Sequence, residues 1–401
     1  MDERPWWRRH LRAILASSLA LLATLIAVAL AGWHFSSYVL VPDHSPWSEG
    51  VEIEAVTPNQ ITLKRSEASE RPGVYGLVWQ GGHAIVGPVV NLNSAAVTRR
   101  LRGVNGYLVA GTEAGFDSSV YAGNPAEVLG LPYRSVNVLS ELGPMPAWEI
   151  PAAGRGAKQT STHHLTSAWA IVVHGINDDR EVGLRIAPTL RRAGFNSLLI
   201  SYRDDLGAPD SPDGMHHQGQ AEWRDLEAAV RYALRRGAKE IVLDGYSMGG
   251  ALITQFMEHS PLADRINGLI LDAPALNWKA ILEFNATRMG FPSFAALPVE
   301  WAIDIRTDVD WNSLDALKHP DDFHLPILLF HGDDDRVVPI ETSEELTKEL
   351  PRWVTYYAVP KAGHTQSWNV DPSLYDRRLR RFLLQISTKT ERARPLGSGS
   401  N

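Results

Sequence analysis

The chain has 401 residues, with 39 basic and 46 acidic side chains and a net charge of −7. At roughly 100 to 200 residues per domain, that length accommodates one large domain and a smaller module, and an apolar share of 44% excludes wholesale disorder. A pI near 6.1 without a long basic run argues against nucleic acid as a partner, and the absence of cysteine removes disulfides, thiolate metal sites and a cysteine nucleophile together.

Residues 13–31 read AILASSLALLATLIAVALA and carry no charge. As a helix at about 1.5 Å per residue this stretch spans about 28 Å, close to the hydrocarbon thickness of a bilayer. Arg4, Arg8, Arg9 and Arg12 stand before or at its edge with Trp6 and Trp7, and no Lys or Arg follows until Lys64. That asymmetry predicts a membrane protein with a single-pass signal-anchor, a cytoplasmic amino terminus and an extracytoplasmic remainder. A cleaved signal peptide is the competing reading, because Ala29-Leu30-Ala31 fits the small-x-small cleavage pattern and would release a secreted protein. The stretch is longer than an ordinary signal-peptide apolar region, which favours retention. Residues 1–45 are therefore read as cytoplasmic terminus, transmembrane helix and linker.

Residues 46–155 read as a small β-rich module. Short apolar runs at 51–56, 60–64, 74–79 and 83–91 alternate with Gly, Pro and Asn punctuation, a strand-and-turn signature. Residues 154–162 are small and polar and suit a connector. The rhythm then changes to apolar strands at 168–173, 197–202, 241–243, 268–271, 327–330 and 354–359, with helix patterns at 181–193, 221–236, 251–259, 342–350 and 372–384. Continuous apolar strands alternating with helices predict an α/β domain over 156–387, its mostly parallel sheet covered on both faces. Chemistry in such sheets sits at the carboxyl ends of the strands. The stretch 388–401, rich in Arg, Gly, Ser and Thr, reads as a disordered tail.

One strand runs from Ile241 into Gly245-Tyr246-Ser247-Met248-Gly249 and on into a helix. This G-x-S-x-G places Ser247 on a tight strand-to-helix turn, and the flanking Gly245 and Gly249 let the two arms of this nucleophile elbow approach. A serine hydroxyl needs a base held by a carboxylate. Downstream, the strand at 327–330 opens into His331-Gly332-Asp333-Asp334-Asp335, and the strand at 354–359 leads into Ala362-Gly363-His364. The chain order is thus Ser, Asp, His, each at the end of a strand, with three adjacent carboxylates as candidate acids and Asp272, ending the strand at 268–271, as a fourth.

The stretch of about 169–384 resembles the α/β-hydrolase fold family, carrying HGIND, GYSMGG, HGDDDRVVP and AGH in the family's order. It is similar to membrane-anchored bacterial hydrolases and, more distantly, to prolyl oligopeptidase-like and serine aminopeptidase-like members. The resemblance implies a serine hydrolase with Ser247 as nucleophile, His364 as general base and then acid, and Asp335 as the residue orienting it. It also implies an oxyanion hole from the backbone amides of Ile176 and Met248. Residues 273–325, with Trp278, Ile281, Phe291, Phe294 and Trp301, correspond to a cap. Its apolar residues either line the site, favouring an acyl group, or pack a helical pair onto the sheet.

His163-His164 and His216-His217 read as surface or turn residues, since adjacent side chains point apart and no H-E-x-x-H occurs. Glu222 and Asp225 read as the start of a helix, alternatively as the rim of the site. No nucleotide fingerprint stands in a strand-helix context, and the reading requires no metal and no organic cofactor. The expected activity is a serine esterase acting on a small or lipid-like carboxylic ester through an acyl-enzyme. A peptidase on the same fold and a non-catalytic envelope scaffold are the alternatives.

Overall fold

In the computed structural model the described residues are 6–45, 49–153 and 167–393. The connector at 154–162, together with His163 and His164, lies outside them. A helix runs over Trp6–Leu40, longer at both ends than the apolar core alone, and Ala13 to Ala31 are exposed along its length. Beyond Gly32 the helix turns protein-facing, with Ser36 and Leu40 fully buried against the rest of the chain.

Six antiparallel strands close into a small barrel: β1 (Glu49–Val56), β2 (Gln60–Lys64), β3 (Tyr75–Trp79), β4 (Gly82–Leu92), β5 (Ala96–Asn105) and β6 (Glu113–Asp117), in the order β1-β2-β5-β4-β3-β6. Ile53, Ile61, Leu63, Leu77 and Val86 alternate with outward polar residues and fill its interior. Arg99 is buried beside them, its guanidinium lying near the rings of Tyr75 and Phe116. It donates to the carbonyls of Gly87, Ser69, Arg71 and Gly73, so one side chain ties the segment before β3 to the barrel wall.

The β-rich module ends sooner than the sequence suggested. β7 (Arg134–Ser140) and β8 (Gly143–Ile150) form a hairpin that joins the large sheet, with β8 antiparallel to β10. Alternating strands with Gly and Pro turns look the same whichever sheet they enter, so periodicity alone could not assign them. The sheet continues through β9 (Ala168–Val173), β10 (Asn196–Ile200), β11 (Glu240–Tyr246), β12 (Gly268–Asp272), β13 (Ile327–Gly332) and β14 (Val354–Val359). Its order is β14-β13-β12-β11-β9-β10-β8-β7, with β9 to β14 parallel. Separate apolar layers cover its two faces. The last helix, Pro372–Ala393, continues into the stretch read as a tail, whose remaining residues 394–401 lie outside the described ones.

Candidate active site

The strand β11 delivers Ser247 into the turn before the helix Met248–His259 with φ 51° and ψ −118°, a conformation that a non-glycine residue adopts only under constraint. Three bonds hold it: the Ser247 amide donates to Asp272 O at 3.1 Å, and its carbonyl accepts from Gly250 and Ala275. The need for the flanking glycines is steric. A Cβ at Gly245 would stand 2.7 Å from Gly249 O, and one at Gly249 would stand 2.3 Å from Val173 O.

His364 Nε2 lies 2.8 Å from Ser247 Oγ, and His364 Nδ1 lies 2.8 Å from Asp335 Oδ2. The three groups come from the carboxyl ends of β11, β14 and β13. Asp335 Oδ1 accepts the amides of Val337 and Val338, which fixes the carboxylate plane. Burial would raise this carboxyl, but His364 and His331 beside it hold it below the usual carboxylate range. The other carboxylates are engaged elsewhere. Asp333 accepts the amide of Lys361, Asp334 pairs with Arg336, and Asp272 accepts from Ser367 Oγ while burial pushes it up to about 6.

Met248 opens a twelve-residue helix, so its N–H belongs to the end where intrahelical partners are lacking and the helix dipole is positive. Ile176 follows Gly175, which faces Ser247 so closely that a Cβ there would stand 3.1 Å from Ser247 Cβ. The Gly175 carbonyl faces Tyr202 Oη and His174 Nδ1, each at 2.8 Å, and also accepts the Asp178 amide at 3.4 Å. A planar trans peptide that holds its oxygen in this way also fixes the Ile176 N–H on the opposite side.

His174 is itself braced. Its Nε2 lies 2.8 Å from Asp205 Oδ2, and its ring stacks on Tyr202 with centroids 4.4 Å apart. Burial disfavours the imidazolium, yet the Asp205 carboxylate raises this ring to about 9. At neutral pH both ring nitrogens therefore donate, one of them to Gly175 O. Sequence reasoning missed this His174–Tyr202–Asp205 brace. Its only linear trace is the HGIND motif, because Asp205 lies 31 residues from His174.

The barrel reaches the site as well. Asn369 Nδ2 donates to Val74 O at 2.8 Å and Ser118 O at 2.9 Å, and Tyr75 Oη lies 3.2 Å from Gln366 Oε1. Buried Arg185 donates to Thr365 O at 3.0 Å and Asn369 Oδ1 at 2.9 Å, which joins the loop after His364 to the sheet core.

His216 and His217 do not converge on one site: His216 Nε2 meets Asn177 Oδ1, whereas His217 pairs with Asp213. Glu222 is buried and accepts the amides of His217 and Gly219, and Asp225 pairs with Arg203, so both brace a turn and do not rim the site. In the cap, Trp278 and Ile281 pack inward, but Phe291, Phe294 and Trp301 stand exposed. The two roles expected for the cap's apolar residues thus cover only part of them.

Fold and site together define a serine hydrolase of the α/β-hydrolase fold. A family profile described as serine aminopeptidase, S33, matches residues 166–307, and a second, a domain of unknown function, matches 52–117, the extent of the barrel. Human protein ABHD12B is similar, 25% identical over 192 residues that cover 44% of this chain and 48% of that protein, so the match spans about half of that relative. An uncharacterized protein of Mycobacterium tuberculosis is 26% identical over 54% of this chain and 70% of its own length. Among solved structures, the Pyrococcus furiosus esterase Pf2001 aligns with TM-score 0.51 at 18% identity, over 67% of this chain and 95% of that one. A puromycin-hydrolyzing peptidase of Mycobacterium tuberculosis aligns with TM-score 0.50 at 17% identity, over 84% of this chain and 53% of that one.

Proposed function

We propose that this protein hydrolyses carboxylic esters through an acyl-enzyme while tethered by its amino-terminal helix. The observation that carries the reading is the line of 2.8 Å contacts from Ser247 Oγ through His364 to Asp335. Ser247 Oγ attacks the ester carbonyl as His364 Nε2 takes its proton, and the Ile176 and Met248 amides receive the charge on the carbonyl oxygen. The intermediate collapses, and His364 returns the proton to the departing alcohol. Water, deprotonated by the same imidazole, then releases the acid and restores the serine. Asp335 keeps Nδ1 protonated and stabilises the imidazolium without changing its own protonation.

Fluorophosphonate labelling tests the assignment. The wild type labels and Ser247→Ala does not; equal labelling of both identifies another nucleophile and overturns the reading.

A peptidase is the second reading, favoured by the carboxylates Asp117, Asp178, Asp179 and Glu181, which gather around the loop after Gly175. Burial raises Asp117 to about 6 and Glu181 to about 8, and Ser119, just past β6, bonds Asp178. An ammonium brought beside them draws these carboxyls back to the ionised form, so a free amino terminus is a ligand they suit, in keeping with the family profile. Turnover of aminoacyl and prolyl anilides without p-nitrophenyl esters decides for it.

The helix Trp6–Leu40 is long and apolar enough to cross a membrane over Ala13–Leu40. Its Arg-bearing start supports a cytoplasmic amino terminus with the hydrolase domain outside. Degradation of the hydrolase domain by protease added to spheroplasts supports that orientation, and full protection reverses it.

A further inference from the structure

The cap carries a row of large apolar side chains that the protein leaves uncovered. Phe294, Leu297, Trp301 and Ile305 recur at three- and four-residue spacing and so share one face of the segment around the helix Leu297–Thr307. Phe294 is 68% exposed, Trp301 64% and Ile305 78%, and Phe291 and Met289 extend the surface. The opposite face of the same helix is buried through Ala302, Ile303 and Thr307. A soluble surface seldom concentrates so much aromatic and aliphatic area without an occupant.

The neighbour of this helix identifies the occupant. Gly32 of the amino-terminal helix packs so tightly on Pro298 that a Cβ would stand 2.3 Å from its carbonyl oxygen. Further along, Arg306 donates to Ser36 Oγ at 2.8 Å and Ser37 Oγ at 2.9 Å, and its guanidinium lies 4.9 Å from the Trp33 ring centroid. The two helices therefore run side by side in the same sense, which allows depth to be read from one to the other. At about 1.5 Å per residue, the apolar run from Ala13 reaches the far edge of the hydrocarbon near Ala31. Trp33 and Tyr38, both exposed, follow at the level where interfacial aromatics sit.

Pro298, touching Gly32, is thus level with the hydrocarbon edge, and Arg306, touching Ser36, is level with the headgroups and water. The composition of the cap follows the same gradient: Phe291, Phe294 and Leu297 come before the polar set Asp304, Arg306, Asp308 and Asp310.

We propose that this cap face is a second membrane contact, seated in the leaflet from which the amino-terminal helix emerges. The proposal rests on the reading of that helix as an anchor. It gives the enzyme a fixed pose on the bilayer. The cap also connects to the reacting groups: Asn285 Nδ2 donates to Val337 O at 2.9 Å, and the Val337 amide in turn donates to Asp335 Oδ1. Val337 is itself apolar and exposed, two residues from Asp335. An amphiphilic ester with its acyl chain in the leaflet is therefore the substrate class that this pose favours.

The cysteine-free sequence makes the test direct. Full-length Phe291→Cys, Phe294→Cys and Trp301→Cys are labelled with a polarity-sensitive fluorophore and reconstituted in phosphatidylcholine–phosphatidylglycerol vesicles containing spin-labelled lipid. Leu22→Cys reports the anchor, and Tyr107→Cys on the barrel, 81% exposed, reports water. The expected result is blue-shifted, lipid-quenched emission at the three cap positions and at position 22, but not at 107. Quenching at 22 with aqueous cap labels overturns the proposal and leaves the anchor standing, whereas aqueous labels at 22 as well refute the anchor. Cap labels that are shielded without lipid quenching, and only at high protein density, mean that a second copy covers the face, which also overturns it. As a functional arm, Phe294→Glu with Trp301→Glu lowers hydrolysis of a long-chain ester in vesicles by about tenfold or more. The same double variant leaves soluble p-nitrophenyl acetate turnover within about twofold. Equal losses on both substrates refute the membrane role.

Discussion

Tyr202→Phe isolates the support of the proposed oxyanion hole. The Tyr202 hydroxyl is buried and donates to the Gly175 carbonyl at 2.8 Å, on the peptide whose other end is the Ile176 amide. Phenylalanine keeps the ring and its stacking on His174, 4.4 Å between centroids, and removes one donor from that carbonyl. The His174 and Asp178 bonds remain, so the peptide loosens without being freed. A neutral buried hydrogen bond is worth about 1 kcal/mol net, and if that energy serves to orient the Ile176 N–H its loss costs about fivefold in kcat. The ceiling is complete loss of one oxyanion donor, on the order of 10² to 10³ in rate.

The expected outcome with p-nitrophenyl butyrate is therefore a fall in kcat of about five- to tenfold, with KM within about twofold. The rate constant for fluorophosphonate labelling should fall in parallel, because that reaction also drives a phosphoryl oxygen toward the hole. An unchanged kcat with a lowered melting temperature would show that the hydroxyl supports only the fold. A rise in KM alone would place its action in substrate binding. Either result refutes the reasoning from carbonyl to amide.

Asp335→Asn should cut kcat by a factor on the order of 10⁴, because the carboxamide no longer selects the productive imidazole tautomer or stabilises its cation; a loss under about tenfold would mean that another carboxylate serves His364. His174 gives a stability prediction with a definite sign. Its folded-state value, about 9, stands above the ordinary value of 6.5, so its contribution is complete below about pH 6.5 and is lost as pH climbs through 9. Urea midpoints measured from pH 7 to 10 should fall in the wild type and change less in His174→Gln. Equal slopes in both would contradict the charged ring.

The chain order of the three side chains that the fold brings together was legible because each lies just after a strand whose apolar run announces itself. β9 and β14 match their expected limits, and β11, β12 and β13 extend theirs by a few residues. Ser247, Asp335 and His364 could be listed from motifs because short strand-end loops tie position in the chain to position on the sheet. Other contacts had no such short-range mark. The partition of the β strands between barrel and sheet depends on pairing partners, and the alternation of β7 and β8 is compatible with either. The cap residues at 291–305 likewise have an apolar composition that fits a lined pocket, a packed helix pair or an exposed face. Only the packing of Gly32 against Pro298 and of Arg306 against Ser36 separates these possibilities.

The barrel shows why long-range placement matters to the chemistry. His364 is useful only if its ring stays between Ser247 and Asp335, and the loop that follows it passes through Thr365 at φ 54°, a backbone position that its neighbours must hold. Those neighbours include Asn369, whose carboxamide bridges to Val74 across 295 residues of sequence, and Gln366, which meets Tyr75 across 291. Arg99 in turn draws the Ser69, Arg71 and Gly73 carbonyls onto the barrel, so the edge that receives Asn369 is set from the barrel interior. Among the described residues the small domain contributes no side chain to the line from Ser247 through His364 to Asp335, yet its contacts help hold the loop that carries His364, because losing them leaves polar atoms beside that loop without partners.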